Sequence, residues 1–452
     1  MHELLYSIPS FIVAITILVA IHEFGHYWVA KILGVKILRF SIGFGKPLYK
    51  RNFSKDKTEF VIAAIPLGGY VKMLDEREGE VDAADIDRAF NRQHVAKRFA
   101  IVFAGPFFNF IFAVFAYWVM FVNGTPGITP VVGDVIKNSP AAIAGLQTGD
   151  RIVSINDVET PIWDVALNEF VPVVLGKMKA ELLIKTDSGL TSTVNFDFTN
   201  SKSDLEKDGL FTILGFKPWR PVATPKVGGV LSDLPAAKAG LKKGDLILKI
   251  NETSVSTWDE MAEVIYRYPD KDINLLVESS GELKTLIVHT IKKVRDGKEI
   301  GLIGVKPDVS YPADMKVNHQ YSFFESFNQA LIKTWRTTVR TFSFLGKMIN
   351  GEVSLKNISG PITIAKVAGL AAEAGLSKFV GILALISVSL GILNLLPIPM
   401  LDGGHLFYYL IEIVKGSPVS ASFEAFGQRI GIVMLLMLMS LAFYNDLLRL
   451  IS

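Results

Sequence analysis

His22, Glu23 and His26 stand within the run His22-Glu23-Phe24-Gly25-His26. Residues four apart on a helix share a face, so the two imidazoles can offer nitrogen ligands to a single zinc ion. Glu23 is adjacent without being a ligand. Zinc lowers the pKa of water toward neutrality, and a neighbouring carboxylate can take that water's proton and return it to a leaving amine. That is the chemistry of amide hydrolysis. Five such residues also occur by chance on solvated helices, but here they end a charge-free apolar run, Ile12 to Ile21. Ionisable groups are costly in a membrane segment and are rarely kept there without a role or a partner.

Two histidines leave a catalytic zinc site short of its usual third protein ligand. The stretch Asn394-Leu395-Leu396-Pro397-Ile398-Pro399-Met400-Leu401-Asp402-Gly403-Gly404-His405 follows a later apolar segment. Its prolines break a helix and its glycines are expected to turn the chain. Asp402 is an oxygen donor compatible with zinc, and His405 competes with it on chemistry alone. A D-G-G sequence also reads as a plain turn.

The elements that must bring these residues together are membrane helices. The chain has 452 residues, half of them hydrophobic, with a mean hydropathy of +0.36. Segments from about Leu4 to Leu33, Phe99 to Val122, Phe379 to Leu396 and Ile430 to Leu448 are long enough to span a bilayer. The first lacks the basic flank and A-x-A site of a cleaved signal peptide. Between the first two spans, basic residues run from Lys36 to Arg98, so that connection is expected on the cytoplasmic side. The same topology brings His22, His26 and Asp402 to the cytoplasmic half of the membrane and leaves both termini outside. A net charge of +3 without a basic aromatic patch argues against nucleic-acid binding. The absence of cysteine removes disulfides and thiol catalysis.

Two features of the cytoplasmic connection are Ser41-Ile42-Gly43-Phe44-Gly45 and the alternating stretch from Glu59 to Met73. They read either as a small cytoplasmic sheet or as a re-entrant β element beside the site, whose edge could pair with an extended substrate. Outside the membrane, the run from Ser139 to Asn156 recurs from Leu234 to Asn251, and Trp163-Asp164 recurs as Trp258-Asp259. Each copy has a short glycine-ended helix and a Gly-Asp turn into an apolar strand. The pattern resembles the PDZ fold of bacterial protease-associated domains, which implies a groove for an extended peptide; the alternative is a pair of spacers. Tyr321 to Asn350 carries apolar residues at helical spacing beside a basic face, which suits a helix on the membrane surface.

Taken together, H-E-F-G-H in a first span, N-x-x-P-x-P-x-L-D-G-G-H after a third and two PDZ-like repeats between the second and third resemble the site-2 protease family of intramembrane metalloproteases over essentially the whole chain. The resemblance implies that His22, His26 and Asp402 bind zinc, that Glu23 is the catalytic acid/base, that Asn394 handles substrate, and that the regions around Gly43 to Gly45 and Pro66 to Met73 form a membrane re-entrant β element whose Gly68, Gly69 and Tyr70 meet the substrate. The expected architecture is a multi-span α-helical membrane protein with four transmembrane helices, two tandem PDZ-like α/β domains and that β element. Its divisions fall at 1–123 and 376–452 for the membrane core, 124–221 and 222–310 for the PDZ-like domains, and 311–375 for a linker with the surface helix. The implied activity is zinc-dependent cleavage of transmembrane segments in a bacterial inner membrane. Single-span substrates such as a pre-cleaved anti-sigma factor and signal-peptide remnants are expected, with the PDZ pair outside as a size filter and the enzyme a monomer. Two rivals are a membrane PDZ scaffold whose metal is structural, closed by His405, and an anchored zincin that cuts soluble peptides.

Overall fold

Hydropathy and helix agree in the computed structural model, which describes residues 2–53, 56–199, 205, 209–295, 298–308, 311–351, 354 and 358–451. Four helices are long and apolar enough to cross a membrane: Tyr6–Ile32, Val95–Asn123, Leu376–Leu395 and Ser422–Arg449. The last starts well before Ile430 because hydropathy marks only its apolar part, whereas the helix runs back through Arg429, Gln428 and Glu424.

The chain divides into two compact units, one of Met1–Thr125 with Gln320–Ser452 and one of Pro126–His319. In the first, helices α1 (His2–Ile32), α2 (Val95–Asn123), α3 (Phe323–Ile349), α4 (Pro361–Glu373), α5 (Leu376–Leu395), α6 (Asp402–Lys415) and α7 (Ala421–Ile451) accompany strands β1 (Ile37–Phe53) and β2 (Thr58–Met73). Lipid tails are as apolar as leucine, so membrane helices associate by close packing at small residues. A Cβ at Gly25 of α1 would lie 2.4 Å from the Ala104 carbonyl oxygen of α2, and one at Gly391 of α5 would lie 3.2 Å from that of Pro106. Helix α4, which hydropathy does not announce, packs on α1 at Gly369 against Ser7. Its N-terminus is capped by α7. The Asp446 carboxylate accepts the Gly360, Ile362 and Thr363 amides at 3.0, 2.8 and 3.1 Å.

Strands β1 and β2 both bend, so that two strands make four rungs. Phe40 pairs with Phe60 on one side and Val71 on the other, Ser41 with Val61 and Tyr70, while Lys50 returns to pair with Val61. The resulting order is 47–53, 58–63, 37–42, 69–73. The bends sit at Gly43, Gly45 and Gly68, whose φ values of +89°, +87° and +120° favour glycine. Residues 69–73 thus form an edge with no further strand among the described residues.

In the second unit each sequence repeat builds the same four-stranded sheet. Val158–Glu159, Arg151–Ile155, Lys179–Lys185 and Thr191–Asp197 correspond in order to Thr253–Ser254, Leu246–Ile250, Asp272–Ser279 and Glu282–His289. Each has its own apolar core, one around Phe170, Phe196 and Phe216 and one around Ile247, Met261 and Leu275. The Gly-Asp turns also match: buried Asp150 and Asp245 accept the Gln147 and Lys242 amides at 2.8 and 2.9 Å. The strands Val132–Val135 and Val227–Val230 each have one edge already paired, with Phe216–Pro218 and Val305–Pro307.

Candidate active site

Three donor atoms converge where α1, α2 and α6 meet. His22 Nε2 and His26 Nε2 are 3.2 Å apart, and Asp402 Oδ2 lies 3.0 and 3.5 Å from them. Both histidines are more than nine-tenths buried, at 8% and 9% exposure. Asp402 Oδ2 is buried and, apart from the two imidazoles, has no hydrogen-bond partner among the described residues. A buried carboxylate oxygen without a donor, facing two imidazole nitrogens, is an arrangement that a cation satisfies, and two nitrogens with one oxygen suit zinc. Among the described residues these three form the one group of ligand atoms close enough to hold a metal, all within 4.8 Å of one another. His405, the chemical competitor, is not in that group. It sits one turn further along α6, with its ring 6.4 Å from that of Tyr408.

The supports are specific. His26 Nδ1 donates to the Ile101 carbonyl of α2 at 2.9 Å, which turns its Nε2 lone pair toward the cluster. Helix α2 also leaves room for both rings, because a Cβ at Gly105 would stand 2.3 Å from His26 Nε2 and 2.9 Å from His22 Cε1. Asp402 opens α6, and here the D-G-G reading as a turn is corrected. Gly403 and Gly404 lie inside the first helical turn, pressed against the preceding segment, where added Cβ atoms would fall 2.1 Å from the Leu396 and 2.6 Å from the Ile398 carbonyl oxygens. Glycine serves close approach rather than reversal. Arg98 of α2 pairs with Glu412 of α6 at 2.5 Å and lies 5.0 Å from the Tyr409 ring centre. Burial pushes the Tyr409 hydroxyl up to about 12.

Glu23 faces the strand edge, with its Cγ 3.1 Å from where a Cβ of Gly69 would sit. A cavity of about 800 Å³ opens here, lined by His22, Glu23, His26, Gly68, Gly69, Tyr70, Asn394, Asp402 and His405. Tyr70 is engaged on both sides, by the Arg39 guanidinium at 3.1 Å and by the stacked Phe44 ring. Asn394 Nδ2 lies 3.5 Å from His22 Nδ1. Asp75 and Arg77 also line the cavity. Burial raises the Asp75 carboxyl, but Arg77, contacting both its oxygens at 2.9 and 2.7 Å, outweighs this and holds it below the usual carboxylate range.

Two site residues escaped the sequence reading, Gly105 and Asn109. The signal was present in the run Gly105-Pro106-Phe107-Phe108-Asn109, which places a carboxamide inside an otherwise apolar span.

The profile of peptidase family M50 matches residues 10–438. This chain belongs to peptidase family M50. Its similarity to curated members extends end to end. The regulator of sigma-E protease RseP of Escherichia coli K12 is 43% identical over 451 residues, 100% of both chains. A putative zinc metalloprotease of Vibrio cholerae is 41% identical over 454 residues, and a regulator of sigma-E protease RseP of Salmonella typhimurium is 41% identical over 451, each again with full coverage of both. This M50 peptidase is therefore a zinc metalloprotease of the site-2 type. A solved PDZ domain of an SdrC-like protein from Listeria monocytogenes aligns with 20% of this M50 chain and 92% of its own, at 19% identity and a TM-score of 0.17.

Proposed function

We propose that this M50 peptidase hydrolyses a peptide bond within the transmembrane segment of a single-span substrate, in a bacterial inner membrane, with His22, His26 and Asp402 holding zinc. The observation that carries the reading is the convergence of those three donors, two of them on a helix apolar enough to span a membrane, on a cavity bordered by Glu23 and a strand edge with no further strand beside it among the described residues. Bound there, zinc would polarise the scissile carbonyl and lower the pKa of water. Glu23 accepts the proton of the attacking water and delivers it to the leaving amine.

A helix hides its carbonyls in hydrogen bonds, so the substrate must unwind before it is cut. The edge at residues 69–73 can take the unwound segment as an added strand, which keeps it extended across the cavity. That is the role we assign to Gly68, Gly69 and Tyr70 as a re-entrant element, with Asn394 contacting the substrate backbone from the opposite wall. The two repeats of the second unit, read as PDZ-like domains in the periplasm, admit substrates whose ectodomain has already been trimmed. A pre-cleaved anti-sigma factor and signal-peptide remnants fit this description, the former in keeping with the names of the relatives.

The test uses purified full-length protein and a tagged single-span substrate with a long or a short ectodomain. Cleavage is expected for the short form, abolished by a zinc chelator, and reduced on the order of 10²–10⁴-fold by Glu23→Gln with zinc content unchanged. Chelator-resistant cleavage, or an active Glu23→Gln, overturns the mechanism; equal cleavage of both lengths overturns the filter.

A further inference from the structure

The two histidines of the site are alike in sequence but differently held. His26 has a backbone carbonyl, that of Ile101, at its Nδ1. His22 has no carbonyl there among the described residues. Its Nδ1 meets two carboxamides instead, Asn109 at 3.2 Å and Asn394 at 3.5 Å. A neutral imidazole that offers Nε2 to a metal carries its proton on Nδ1, and so requires an acceptor at that position.

Asn109 is the group built to supply one. It is wholly buried, at 0% exposure, and its Oδ1 has no hydrogen-bond partner among the described residues while its Nδ2 faces His22. The two ends of a carboxamide are nearly the same shape, so a half-turn of the amide exchanges them. That half-turn brings Oδ1 to His22 Nδ1 and relieves the orphaned oxygen. The position is also fixed from behind, since the Asn109 backbone carbonyl accepts the Ser387 hydroxyl of α5 at 2.8 Å. Asn394 is nearer the cavity and further from the ring.

We propose that Asn109 is the positioning residue for His22: its Oδ1 accepts the Nδ1 proton and fixes the tautomer and ring orientation that present Nε2 to zinc, leaving Asn394 free for substrate. This rests on the zinc-ligand reading above. It gives α2 a common task, because Ile101 and Asn109 then orient both imidazoles from one helix while Gly105 between them leaves the rings space.

The experiment measures zinc affinity of the full-length protein in detergent, by competition with a chromophoric chelator, together with thermal unfolding of the zinc-free forms. Asn109→Leu is expected to bind zinc about 10–100-fold more weakly, with cleavage recovered by excess zinc. Asn109→Asp, which keeps an acceptor, should stay within a few-fold of the parent. Asn394→Leu should keep full zinc affinity while losing cleavage. Parent-like affinity in Asn109→Leu overturns the proposal, as does Asn109→Asp being as weak as Asn109→Leu. If Asn109→Leu does not fold, Asn109→Asp alone decides: a 10-fold or greater loss of affinity in a stably folded protein refutes the acceptor role. Failure of the parent protein itself to bind zinc would sink the ligand assignment instead.

Discussion

A single methyl group added at Gly105 would put carbon 2.3 Å from His26 Nε2, well inside van der Waals contact. The atom it meets belongs to a ring held by its own hydrogen bond to Ile101, so the ring cannot yield without losing that support. Gly105→Ala is therefore expected to lower kcat/KM by about 10²-fold or more, as small displacements of reacting groups do, with zinc affinity falling alongside. Metal content and single-turnover cleavage check this, and wild-type values in both would show that α2 can withdraw. The contrast with His22 and His26 explains what was legible at this scale. A metal ligand declares itself by its functional group and by i, i+4 spacing. Gly105 acts through an absent side chain at a distance set by helix crossing, which no spacing within one segment encodes. Asp402 and His405 were equivalent as donors for a related reason: only the start of α6, with Gly403 and Gly404 packed inward, decides which of the two faces the histidines.

At the scale of elements, the edge of β2 and the cap of α4 make separable predictions. Gly69 is where the strand lies directly on α1, so a side chain there would meet the Ser41 carbonyl oxygen at 2.7 Å and both Glu23 and Val19 at 3.1 Å. Gly69→Val should push the edge away from Glu23 and reduce kcat/KM by about 10²-fold, while zinc content stays intact because none of the three proposed ligands sits on β2. Loss of zinc in Gly69→Val would contradict that separation. Asp446 works elsewhere, capping α4 from α7 through three amides and the Thr363 hydroxyl at 2.6 Å. Asp446→Ala leaves those donors unpaired and should destabilise the membrane unit by about 2 kcal/mol, read as a lower unfolding temperature in detergent. Helix α4 shows where hydropathy falls short. At 13 residues it is too short to mark a span and not periodic enough to mark a face, and it is held by the cap from Asp446 and the seam at Gly369. The bent β pair was legible as alternating residues punctuated by glycine, but the doubled register, in which one residue of β1 serves two rungs, is a property of the fold.

For the whole molecule, the second unit is an insertion whose ends meet. Strands Thr125–Ile128 and Lys316–His319 pair with each other, so the chain enters and leaves this unit at one place. Paired strands lie about 4.8 Å apart, a gap that a flexible linker of roughly six residues closes easily. The three donor atoms of the candidate site all lie in the other unit, and each repeat has its own apolar core. Replacing 126–319 with such a linker should therefore leave a folded membrane unit with wild-type zinc affinity. If the repeats act as a size filter, the shortened protein will cut substrates with long ectodomains as fast as those with short ones, whereas the intact protein prefers the short. If they instead deliver substrate through peptide grooves, the shortened protein will lose activity toward both. Measuring cleavage of the two substrates by the two proteins under one condition separates these outcomes. An unchanged preference for short ectodomains after excision would place the discrimination within the membrane unit itself, at the mouth of the cavity beside Asn394 and the β2 edge.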